Sequence, residues 1–171
     1  MSVYPPRKKI PLPLIIRTLT VIILIMQDAP LPAALCTAVM RVGTRLATLF
    51  DQKFSRFGLT QAQFRVLLAV SEAGEEGVTP STLADRLLIE RATVSVLTTR
   101  LVERGWLARQ PGENRRTFLL VLTEAGMTSL LEALPHAVAL ADETLAGFRR
   151  EELRETLALL GQLEAHLREK E

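Results

Sequence analysis

Two stretches of helical apolar spacing, only three residues apart, most limit what this chain can fold into. In residues 80–87 (PSTLADRL), Leu83, Ala84 and Leu87 fall on one face of a short helix, and Pro80 suits its first turn. In residues 91–104 (RATVSVLTTRLVER), Val94, Leu97 and Leu101 form the same kind of face on a longer helix that Gly105 ends. Leu88–Glu90 allow only a tight connection, so the two apolar faces pack on each other as a helix-turn-helix. The other face of the second helix is small and polar: Ala92, Thr93, Ser95, Val96 and Thr99, with Arg91 and Arg100 beside them. Such a face lets a helix backbone come close to base edges in the major groove.

The next residues read as a hairpin. Trp106–Ala108 form one strand, residues 109–115 (RQPGENR) a polar turn, and residues 116–122 (RTFLLVL) a second strand, before Thr123 caps another helix. A hairpin directly after a helix-turn-helix is a wing. Its turn carries Arg109, Arg115 and Arg116 against one acid, Glu113, a tip suited to the negative potential of a narrow minor groove. The plainer alternative is a solvated turn with ordinary surface arginines.

Helices flank this unit on both sides. Leu35, Val39, Val42, Leu46 and Leu49 recur in steps of four and three, and the pattern continues through Phe50, Phe54 and Phe57 to Gly58. Thr60 with Gln63 forms a capping box for a second helix that buries Phe64, Leu67 and Leu68, while Val78 and Thr79 supply a very short strand. Toward the end, residues 124–147 carry Leu130, Leu131, Leu134, Val138 and Leu145, with a kink expected at Pro135. Residues 150–168 carry Leu153, Leu157, Leu160, Leu163 and Leu167. The composition agrees: 48% hydrophobic but only 5% aromatic residues favour helices over a barrel or sandwich, so the fold class is mainly α with a small β-wing. The terminal leucine stripes exceed what one small winged helix can cover. A second copy of the chain is the expected cover, an intrachain helical cap the alternative.

Several chemistries are excluded. One cysteine, Cys36, makes no intrachain disulfide, and with His136 and His166 far away it builds no four-ligand zinc site. No nucleophile elbow or glycine loop appears, and neither histidine has a cysteine or carboxylate partner at ligand spacing, so no catalytic residue, metal or cofactor is expected, and the chain reads as a non-enzyme. A net charge of +2 conceals blocks of +5 (residues 1–50), −1 (51–78), +3 (79–123) and −5 (124–171). The basic middle points to a polyanion.

Residues 1–31 read as a hydrophobic extension, with 12 apolar residues among the 17 of segment 10–26. As a helix that segment would span about 25 Å, short of the roughly 30 Å membrane core. Arg17 would sit near its middle, and Pro11 and Pro13 oppose a helix interior. A membrane anchor is thus disfavoured against an unstructured extension or an added packing element. A chain starting at Met26 would carry −2, so the high pI is no argument for DNA binding.

Residues 57–126 resemble the core of MarR-family winged-helix regulators. The landmarks are the Leu-Thr-x-x-Gln opening at Leu59, the Thr-Pro-Ser-x-Leu-Ala helix at Thr79, Arg-x-Thr-Val-Ser at Arg91, Leu-x-x-x-Gly-Trp-Leu at Leu101, and Asn-Arg-Arg running into Leu-Thr-x-x-Gly. The resemblance implies a winged helix-turn-helix at 58–123 within a domain of residues 32–171, with dimerisation helices at 33–57 and 124–170. It implies a cytoplasmic homodimer on palindromic double-stranded DNA, a repressor relieved by a small-molecule effector. The implied DNA-binding residues are Ser81, Thr82, Arg91, Ala92, Thr93, Ser95, Thr99, Arg100, Arg115 and Arg116. Leu35, Val39, Leu46, Leu153, Leu157, Leu160 and Leu167 are the implied dimer contacts. This chain has Asn114 and Thr99 where the family usually has aspartate, which removes carboxylates that orient nearby arginines. Cys36 lies where some members sense peroxides, although a small buried hydrophobe is the commoner role of a lone cysteine. A winged-helix module that binds protein, with its N-terminus at a membrane, is a further alternative.

Overall fold

Three of the helices begin where a threonine caps them. In the structure, a computed structural model that describes residues 30–112 and 117–170, the Thr60 hydroxyl accepts from the Gln63 N–H at 3.2 Å, and the Gln63 side chain accepts from the Thr60 N–H at 3.0 Å. Thr79 accepts from the Thr82 N–H at 3.1 Å, and Thr123 from the Gly126 N–H at 3.0 Å. Caps of this kind contribute about 1 kcal/mol each. The elements are α1 (Leu31–Phe54), a 3-10 turn (Ser55–Phe57), α2 (Gln61–Glu72), a second 3-10 turn (Gly74–Glu76), α3 (Pro80–Leu87), α4 (Arg91–Glu103), β1 (Leu107–Pro111), β2 (Phe118–Leu122), α5 (Glu124–Leu145) and α6 (Arg150–Arg168). The protein is thus mainly helical with one small antiparallel sheet.

The chain divides into two compact units, residues 1–48 and 49–171. In the first, the described part is residues 30–48, where Leu35, Val39, Met40 and Val42 are exposed and Leu46 is half-buried. The anchor considered at residues 10–26 lies outside the described residues. The second unit holds a core in which Phe54, Leu67, Leu83, Val94, Leu101 and Leu120 are all fully buried. As the spacing predicts, α3 and α4 contribute their Leu83/Leu87 and Val94/Leu101 faces to this core, and the connection turns on Leu88 in the left-handed region at φ 53°.

The hairpin differs from the sequence reading. Residues 109–111 belong to β1 and not to the turn, β1 begins at Leu107 and not at Trp106, and β2 begins at Phe118, with Thr117 outside it. Arg109 pairs with Leu120, Gln110 with Leu119 and Pro111 with Phe118. Strand pairing is a backbone property, and an exposed edge strand carries no apolar alternation to mark its length. Val78 adds a bridge to Leu120, with N–H···O distances of 3.0 and 2.8 Å. A Cβ at Gly77 (φ 70°) would stand 2.9 Å from the Leu120 carbonyl oxygen, so the approach of this bridge requires glycine.

At the other end of the sheet the wing, α4 and α5 share one junction. The Thr123 N–H donates to the Trp106 carbonyl at 3.1 Å and its hydroxyl to the Gly105 carbonyl at 2.7 Å. Helix α5 does not carry a single stripe. Leu130, Ala133, Ala137 and Leu140 face the core, whereas Leu131, Leu134, Val138 and Leu145 stay exposed. Along the 19 residues of α6 nothing is buried.

Candidate nucleic-acid interface

Helix α4 is sided by its own spacing. Val94, Thr98 and Leu101, at i, i+4 and i+7, are buried. The opposite face leaves Arg91, Ala92, Thr93, Ser95, Val96 and Arg100 exposed. Thr98 is the member that sequence patterning missed, because a threonine reads as surface. Inside the core its hydroxyl is satisfied by the Val94 carbonyl at 2.8 Å. Glu90, at the N-cap of α4, makes no side-chain capping bond. The positive end of the helix therefore lies beside the small polar face, an arrangement suited to a phosphate backbone and base edges together.

The start of α3 adds hydroxyls. Thr79 Oγ1 lies 2.9 Å from Ser81 Oγ and 2.8 Å from Thr82 Oγ1, and both Ser81 and Thr82 are exposed. Two arginines away from this surface hold the unit together. Arg65 donates to the Leu87 carbonyl at 3.0 Å, tying α2 to the end of α3. Arg104 lies over the Trp106 ring at 4.5 Å and donates to the Gly58 carbonyl.

In the wing, Arg109 is not at the tip. Its guanidinium sits 4.8 Å from the centre of the Phe118 ring, and Nη2 is 3.5 Å from Thr99 Oγ1, itself half-buried. Glu113, Asn114, Arg115 and Arg116 lie outside the described residues. The structure therefore brings together Ser81, Thr82, Arg91, Ala92, Thr93, Ser95 and Arg100 on two neighbouring helices, and turns Thr99 toward the wing.

Elsewhere, Leu35, Val39, Leu157, Leu160 and Leu167 are exposed, while Leu46 and Leu153 are half-buried. Cys36 is exposed on α1, and not the buried small hydrophobe of the commoner case. His136 stacks on Phe57 with ring centres 5.1 Å apart. Among the described residues no His, Cys, Asp and Glu cluster could hold a metal ion. A pocket of about 320 Å³ between α2 and α3 has Leu68, Ala69 and Leu87 in its lining and Arg65, Glu72 and Arg86 as its charged groups.

Comparison with known proteins places this geometry. Residues 57–116 match the model described as "MarR family". The chain is 29% identical over 138 residues to the HTH-type transcriptional regulator PecS of Dickeya dadantii, covering 80% of this chain and 83% of that one. It is 31% identical over 107 residues to the HTH-type regulator YwoH of Bacillus subtilis, covering 63% of this chain and 77% of that one. A solved structure of the transcriptional regulator MosR of M. tuberculosis in complex with DNA superposes with a TM-score of 0.65 at 27% identity, over 78% of this chain and 97% of that one.

Proposed function

Because the chain belongs to the MarR family of transcriptional regulators, we propose that it acts as a homodimeric repressor that binds a palindromic operator and lets go when a small-molecule effector binds. Members of this family are DNA-binding transcription factors, so the chain is a regulator and not an enzyme. The observation that carries the reading is the exposed, small, polar face of α4 set against its buried Val94–Thr98–Leu101 face. Arg91, Thr93 and Ser95 read base edges in the major groove. Arg100 and the α3 hydroxyls Ser81 and Thr82 contact phosphates, and Ala92 gives the backbone close approach. Arg115 and Arg116 enter the adjacent minor groove.

Dimerisation rests on the unburied α6 and the exposed apolar residues of α1. Large apolar side chains lie open on each of these helices, the kind of surface that a protein partner ordinarily covers. Leu35, Val39 and Leu46 on one unit and Leu153, Leu157, Leu160 and Leu167 on the other are the proposed contacts, with residues 33–57 and 124–170 as dimerisation helices around a winged helix-turn-helix of 58–123. For the effector, the pocket between α2 and α3 joins an apolar lining to two guanidinium groups and the Glu72 carboxylate, which suits a small organic molecule with both an apolar body and polar groups. Such a regulator works in the cytoplasm, where its operator is.

Selection from a random duplex pool tests the proposal. Enrichment of an inverted repeat supports it, and substitution of Thr93 or Ser95 by alanine should alter preference at single positions by roughly 1–3 kcal/mol. Failure to enrich any duplex, or a selected site without two-fold symmetry, would overturn it.

A further inference from the structure

We propose that Arg109 is a positioning residue that braces the wing against the DNA-reading helix, and that it does not contact the DNA backbone. The proposal rests on the DNA-binding reading above and deepens it. Three observations carry it. Arg109 lies within β1, paired with Leu120, and not in the turn that would reach along a groove. Its guanidinium covers the Phe118 ring on the facing strand, at 4.8 Å, a distance at which the positive charge meets the negative face of the ring. The same guanidinium points Nη2 at Thr99 Oγ1 on α4, 3.5 Å away, so one side chain touches both strands of the wing and the reading helix.

The chemistry of the partners determines how firm the brace is. A carboxylate at position 99 would hold the guanidinium with a charge-assisted bond. Thr99 offers a neutral acceptor at the long end of the hydrogen-bond range, so the aromatic face carries more of the restraint. The wing angle is therefore set by a soft contact. Residues on both sides of it, Thr99 and Phe118, share in the control of how the wing meets the groove.

Two variants separate bracing from phosphate contact. Arg109→Met keeps the stem and removes the charged fork, while Phe118→Leu leaves the charge and removes the ring. Amide hydrogen exchange in the DNA-free protein reads the brace directly: both variants should raise exchange at Leu107–Gln110 and Phe118–Leu122 several-fold, while the α2 core amides stay unchanged. With a random-sequence 30-base-pair duplex as probe, the slope of log affinity against log salt should stay within about half a unit of the unmodified protein in both, because no released counterion is lost. A slope reduced by about one in Arg109→Met, the mark of a lost phosphate contact, overturns the proposal. So does unchanged wing exchange in either variant. If the unmodified protein binds no duplex, the regulator reading fails, while the exchange measurement still decides the brace.

Discussion

Single side chains matter most here where backbones approach. A Cβ at Gly126 would lie 2.1 Å from the Trp106 carbonyl oxygen, a backbone atom pinned by its bond from Thr123, so neither side can yield cheaply. Gly126→Ala should lower unfolding stability by about 2–4 kcal/mol, read as a shift of the denaturation midpoint in urea. Thr98 gives the opposite expectation. Its hydroxyl bonds only to carbonyls of its own helix, so Thr98→Val conserves volume and strands no partner donor. Stability in the same urea titration should stay within about 1 kcal/mol of the unmodified chain. A larger loss would mean that the hydroxyl serves something beyond its own helix.

At the scale of elements, the Thr60 and Thr123 caps are not equivalent. Thr60 closes a local box with Gln63, whereas Thr123 caps α5 and also donates to the Gly105 carbonyl after α4. Thr60→Ala should cost about 1 kcal/mol, and Thr123→Ala about 2 because a tertiary bond goes with the cap. Thermal denaturation of the two variants side by side reads the difference. The start of α6 is held electrostatically. Glu152 accepts from the Arg149 guanidinium and from the Arg149 N–H, both at 2.8 Å, and these bonds hold its carboxyl below the usual carboxylate value of 4.5. A depressed carboxylate stabilises the folded form above its ordinary pKa, and that contribution is lost as pH falls through the depressed value. An NMR titration should therefore place the Glu152 midpoint below 4.5 and return it toward that value in Arg149→Ala.

For the whole molecule, α6 contributes little to the chain's own core. Leu157 is 72% and Leu160 42% exposed, so Leu157→Glu with Leu160→Glu removes only part-buried contacts and none of the chain's fully buried core. The double variant should remain helical by circular dichroism yet sediment as a monomer, with operator affinity falling at least a hundredfold as half-site pairing is lost. A variant that still sediments as a dimer would move the interface away from these leucines. Helix α1, long and apolar enough by length and composition to cross a membrane, poses the competing cover for its exposed residues. Recovery of the unmodified protein in the soluble dimeric fraction at low salt decides for a second copy.

What the sequence determined by itself was everything encoded locally. Thr60 and Thr123 each cap a helix because a hydroxyl and an N–H three residues on meet only in that geometry, and the Leu83/Leu87 and Val94/Leu101 faces of α3 and α4 follow from helix pitch, whereas Thr79, read as strand, proved to be the cap of α3. The helix-turn-helix and its exposed polar face were legible for that reason. The tertiary structure decided what depends on atoms distant in sequence. It carried β1 through Arg109–Pro111, because pairing with Phe118–Leu120 is a backbone matter that polar side chains do not announce. It split the apolar residues of α5 between a buried and an exposed face, since periodicity shows that a helix has apolar sides but not which one finds a partner. Arg109 illustrates the limit. Its sequence neighbours make it a turn arginine, and only the arrival of Phe118 and Thr99 beside it gives its charge something to hold.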